Sequence, residues 1–199
     1  MFLNRIINTT NALVNGRKGI SPSVNRFLAI HGDEPITQII ISRNVINSAL
    51  IGTINVLSPN FKNKNQDDKL YHLKLLIKTT GSMISLEKNA GIEISSYKME
   101  NGAENLSVTV IPGLTLNILL DRTKQLMGNN FLTYSAKNNN CGNFVLAILK
   151  SNRLANSQNT LFVEQIIDHL FTDNLRKITN TVTGIAGKMD ILYQGGKVE

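Results

Sequence analysis

The only cysteine of this 199-residue chain, Cys141, stands where the polar run Asn138-Asn139-Asn140 gives way to the apolar helical pattern of Phe144, Val145, Ile148 and Leu149. Asparagine is a good helix N-cap, so the spacing predicts a helix that opens at the cysteine. The unpaired N–H groups of a first helical turn carry partial positive charge, which lowers a thiol pKa and offers donors to a developing oxyanion. Such a residue is suited to thiolate attack on a carbonyl carbon. Its competing use is that of an ordinary free cysteine, a small buried hydrophobe.

A nucleophilic cysteine needs a base, and the chain has three histidines. His31 precedes Gly32-Asp33 in a loop-like stretch, and His169 lies beside the apolar stripe of a C-terminal helix; both read as surface or cap residues. His72 opens a strand pattern in which it shares a face with Lys74, Leu76 and Lys78, opposite Tyr71, Leu73, Leu75 and Ile77. That polar face is expected to look at the cysteine helix. With Thr80-Gly81 as a two-residue hairpin turn, Leu75 faces Leu86, Ile77 faces Ile84, Lys74 faces Glu87 and His72 faces Asn89. Glu87 or Asn89 would then hold the imidazole in the tautomer that accepts the thiol proton. A Glu87–Lys74 ion pair and a plain turn role for Asn89 are the competing uses.

These side chains must be positioned by the surrounding elements. Asp33-Glu34-Pro35 is a helix start signal, and Ile36, Ile39, Ile40, Ile46, Leu50, Ile54 and Leu57 after it predict a helix up to Ser58-Pro59. Strand patterns cover 71–78, 83–88, 92–96 and 106–111, separated by Gly- and Asn-rich turns, and predict an antiparallel meander. Helical periodicity returns from Leu116 to Leu126, stops at Gly128, and resumes at Cys141. Residues 130–135 could add a strand or an extended approach to the cysteine. Further helices are expected near Thr160 and from Asp173. The fold class is therefore α+β, an antiparallel β meander packed with helices and flanked by helical N- and C-terminal extensions. The expected divisions are a basic N-terminal arm (1–32), a core domain (33–152) and a helical extension (153–199).

Composition narrows the possible partners. The net charge is +7, and Arg5, Arg17, Lys18 and Arg26 are the charged side chains before His31, with no acid among them. Aromatic residues make up only 6% and do not interleave with basic blocks, so nucleic acid is not expected as the main partner. A single cysteine cannot form an intrachain disulfide, which favours a reducing compartment. No secretion signal is expected, since the first residues, Met1 to Asn8, meet polar side chains before an apolar run reaches that length, and no transmembrane span, since Arg43, Asn44 and Asn47 interrupt the most apolar stretch. One Cys and three scattered His lack the spacing of a zinc site, so no metal or other cofactor is expected.

The order of a histidine at the head of a strand, a β meander, a helix, and then Asn140-Cys141 with Phe144 in an apolar helix resembles the circularly permuted papain-like fold of the lecithin:retinol acyltransferase family and its NlpC-type relatives. In that family Asn-Cys-Glu-His-Phe opens the nucleophile helix; here Gly142 and Asn143 replace the Glu-His pair. Tyr71-His72-Leu73, Leu86-Glu87-Lys88-Asn89 and Asn139-Asn140-Cys141 resemble still more closely papain-like proteins of giant viruses and virophages. The similarity spans roughly residues 36–150. The acyltransferases carry a second histidine on the next strand, whereas this chain offers Glu87 or Asn89. The resemblance implies a thiol-dependent hydrolase or acyltransferase acting on an amide or ester of a peptide or lipid, located in host cytoplasm or virion. The alternative it implies is a catalytically inactive virion component that docks on virion or capsid proteins.

Overall fold

Tyr71 begins a run of β-branched and leucine residues whose register is set by the turn that follows it. In the computed structural model, which describes residues 20–45, 71–89, 91–134 and 139–169, Thr79 N–H donates to Ser82 O at 2.8 Å and closes Thr80-Gly81 as a two-residue turn. Strands β2 (Tyr71–Thr79) and β3 (Met83–Lys88) then pair with Leu75 on Leu86, Ile77 on Ile84 and Lys74 on Glu87, the expected register. Strand β4 (Ile92–Ser96) continues the meander.

The segment expected to be helical from Pro35 is instead strand β1 (Ile36–Val45), with the remainder of that predicted helix, 46–57, outside the described residues. Ile39, Ile40 and Ile41 are buried in succession, because β1 lies between two strands and is covered on both faces. A strand buried on both sides loses its alternation, and the chance spacing of its isoleucines then imitates a helix. Glu34 does not cap a helix. Its carboxylate accepts from Thr79 Oγ1 at 2.5 Å and lies 2.8 Å from His31 Nδ1.

Strand β5 (Glu104–Val108) does not extend the meander but pairs with β1, giving an antiparallel five-stranded sheet of order β4-β3-β2-β1-β5. The link from β4 to β5, residues 97–103, therefore crosses the intervening strands. Lys98 N–H donates to Ser85 Oγ on β3, Glu100 accepts from Lys74 on β2, and Asn44 on β1 donates to Glu100. These contacts lie on the sheet face of Lys74, and residues 97–103 form a strap over it.

Helices α1 (Pro22–His31), α2 (Leu116–Met127), α3 (Cys141–Ser151) and α4 (Ser157–His169) accompany the sheet, making the described residues an α+β fold. Val24 and Leu28, Leu116 and Leu119, Phe144 and Ile148, and Val163 join Leu73, Leu75, Ile77 and Leu86 in one hydrophobic core. Parts of the stretches before residue 33 and after 152 thus share the core of the sheet. Residues 1–19, which hold most of the basic arm, and the helix expected from Asp173 lie outside the described residues.

Local signals account for the helix ends. Ser21 Oγ accepts from Val24 N–H, with Pro22 in the first turn of α1, and Thr115 caps α2 in the same way. Gly128 ends α2 with φ +55°, a conformation that favours glycine. The strand considered for 130–135 is absent over its described part, where Gly128–Phe131 forms a 3-10 turn. Among the described residues no helix is long and apolar enough to cross a membrane.

Candidate active site

The first turn of α3 is held by two asparagines. Asn140 Oδ1 accepts from Asn143 N–H at 3.0 Å, and Asn143 Oδ1 accepts from Asn140 N–H at 3.1 Å, a reciprocal capping box. The same Asn-x-x-Asn device opens α4, where Asn156 and Asn159 exchange two 2.9 Å bonds. In α3 it fixes the direction of the turn from which Cys141 projects, and neither bond uses the Cys141 N–H.

Helix α3 packs on the Leu73 and Leu75 face of the sheet, not on the polar face of His72 as the alternation had suggested. The thiol and the imidazole meet because the β2–β3 ladder ends at the Lys74–Glu87 pair. Leu73, one residue beyond that pair, donates its N–H to the Cys141 sulfur, Gly142 N–H donates as well, and His72 supplies a third hydrogen bond. The sulfur, 4% exposed at the residue level, is thus ringed by donors that favour the thiolate.

On the opposite side of the ring, His72 Nε2 lies 2.5 Å from Glu87 Oε2. With Nε2 held by the carboxylate, Nδ1 is the nitrogen left to exchange a proton with the thiol. Burial alone would lower the His72 pKa, but the bonds and charges of Cys141 and Glu87 outweigh it and raise it to about 10. Burial likewise opposes ionisation of Cys141 and Glu87. The His72 bond and charge overcome it in both, helped at Cys141 by the two backbone amides and at Glu87 by Lys74 and Asn89, and both pKa values lie below their ordinary ones. The charge distribution favoured by this arrangement is a thiolate–imidazolium pair backed by a carboxylate.

Of the sequence-predicted residues, Cys141, His72 and Glu87 are brought into one hydrogen-bonded line. Asn89 does not face the imidazole. Its amide supports the Glu87 carboxylate and donates to Glu93 Oε2 at 3.1 Å. The competing Glu87–Lys74 pair gives way to another partner, since Lys74 Nζ donates to Glu100 Oε1 at 2.6 Å. His31 lies at the turn end of the hairpin, with Nδ1 2.8 Å from Glu34 Oε1 and 3.1 Å from Ser82 Oγ. The side chain of His169 lies outside the described residues.

Two residues beside the site, Lys88 and Asn139, stood in the sequence only inside the resemblance motifs, with no role of their own. Lys88 is fully buried, and its Nζ donates to Asn130 O at 2.6 Å and Asn139 Oδ1 at 2.8 Å, 5.8 Å from the centroid of the Phe144 ring. Asn139 Nδ2 donates in turn to Asn130 O and Thr133 O, at 2.7 and 2.6 Å. This clasp ties the chain just ahead of Cys141 to the end of β3. Burial pushes the Lys88 pKa down to about 8. A lysine next to an apolar strand end signals only a solvated charge in sequence, because its burial is decided by distant segments.

The fold and site together define an α+β protein with a helix-start cysteine facing a histidine–carboxylate pair. No protein-family model, no curated protein and no solved structure matches this chain. Among the described residues no cluster of His, Cys, Asp or Glu is arranged to hold a metal ion.

Proposed function

We propose that the protein is a thiol-dependent hydrolase or acyltransferase that acts on an amide or ester, and that the sheet with α3 is a permuted papain-like core. The observation that carries the proposal is the bridging of Cys141 and Glu87 by a single imidazole, since a buried structural cysteine requires neither a base nor an orienting carboxylate. The order of the elements, His72 at the head of a strand, then the meander, then the Cys141 helix, supports the permuted core.

In the proposed reaction the Cys141 thiolate attacks the substrate carbonyl carbon, and the Cys141 N–H at the helix start donates to the tetrahedral oxyanion. As the intermediate collapses, the C–N or C–O bond breaks and the His72 imidazolium gives its proton to the leaving amine or alcohol. A thioester remains. Water, or an acceptor with a nucleophilic oxygen or nitrogen, then loses a proton to His72, attacks the thioester and releases Cys141. Glu87 keeps its charge throughout and orients the ring.

The test is turnover of a panel of peptide, ester and lipid substrates by the wild type and by Cys141→Ser. Loss of all turnover in a folded serine variant is expected, and an equally active serine variant would contradict the mechanism.

A further inference from the structure

Lys74 and Glu87 face each other directly across β2 and β3, a position in which a lysine and a glutamate ordinarily pair. Lys74 is 6% exposed, so its ammonium must find a nearby partner. That partner is Glu100 on the strap, 2.6 Å away, which also accepts from Asn44 Nδ2. Asn44 is itself the cross-strand neighbour of His72 on β1. Glu87, relieved of the lysine, gives Oε2 to His72.

We propose that Glu100 is a positioning residue for the Cys141–His72 site: by holding Lys74 on the strap it keeps the lysine from engaging Glu87, and so leaves Glu87 to orient and charge His72. The strap thereby serves the site as well as covering the sheet. Without Glu100, the buried ammonium is left with Glu87, the carboxylate directly across the ladder and already within reach of its charge. Once engaged there it either rotates the carboxylate off the imidazole or neutralises it in place, and in both cases the imidazolium loses support and the thiol holds its proton more tightly. The device presupposes that Cys141 and His72 form the ion pair proposed above.

The experiment is the iodoacetamide alkylation rate of Cys141 as a function of pH in the full chain, carried down through the thiolate midpoint, for the wild type, Glu100→Ala, Lys74→Met, the double variant and His72→Ala, with circular dichroism to verify folding. Glu100→Ala should raise the pH midpoint of alkylation by about one unit, which slows the reaction by about tenfold at pH values below both midpoints. Lys74→Met, which removes a charge that helps hold Glu87 ionised, should slow alkylation less than Glu100→Ala does, and adding it to Glu100→Ala should bring the rate back to that of Lys74→Met alone, because a lysine that is absent cannot compete for Glu87. A merely structural strap contact would not show this suppression. A double variant as slow as Glu100→Ala, or a Glu100→Ala variant as fast as wild type, would overturn the proposal. A His72→Ala rate equal to wild type would instead show that the underlying ion pair does not exist, and the proposal would fall with it.

Discussion

His72 Nε2 and Glu87 Oε2 lie 2.5 Å apart, joining two strands across a hairpin at a point just beyond the end of their ladder. The bond commits one imidazole nitrogen to a carboxylate and leaves the other for the Cys141 thiol. A neutral partner could orient the ring, but only a charged one also stabilises the imidazolium.

Glu87→Gln separates those two effects. The amide can still hold the ring, but the charge that raises the His72 pKa is lost, so the imidazolium should titrate at lower pH and the alkylation midpoint of Cys141 should rise by about one unit. Asn89→Ala, which removes one support of Glu87 and a bond to Glu93, should shift the midpoint less. The pH midpoints of alkylation rank the two variants, and an Asn89→Ala effect larger than that of Glu87→Gln would contradict the assigned roles.

Lys88 gives a pH signature in stability. Its folded pKa is lowered to about 8 from an ordinary 10.5, so between these values the unfolded chain binds more protons and stability contributed by this residue rises with pH. The neutral amine still has two N–H donors for its two acceptors, Asn130 O and Asn139 Oδ1. Urea unfolding from pH 7 to 10.5 should show the wild type gaining on Lys88→Met by up to about 3 kcal/mol, the linkage equivalent of the shift. A constant difference across that range would contradict a desolvated lysine.

The capping box of α3 predicts a plain stability cost. Asn140→Ala removes the acceptor of Asn143 N–H at a buried helix start and should lower stability by about 1 kcal/mol or more. The urea midpoint measures it. An unchanged midpoint would mean that the first turn is held by other contacts.

How much of this could be read beforehand varies by element. The β2–β3 register was legible because the Thr80-Gly81 turn and the Leu75 and Leu86 alternation are local, and the same holds for the helix opening at Cys141. Strand β1 was misread as a helix because a central strand buried on both faces shows a continuous Ile39-Ile40-Ile41 run in place of alternation. The pairing of β5 with β1 depends on chain crossing the sheet, which no local pattern encodes, so the strap and its Glu100 contact were invisible. Cys141, His72 and Glu87 could be named from types and spacing. How they meet, through the open end of the ladder, could not.

The most direct test of the central claim is the alkylation rate of Cys141 as a function of pH in the wild type and in His72→Ala. The thiolate–imidazolium account predicts that wild-type reactivity titrates well below the ordinary cysteine value of about 8.5, and that without His72 the remaining burial returns the titration to that value or above it. A slow thiol with an ordinary titration, indifferent to His72, would contradict the account and leave Cys141 as a buried structural residue.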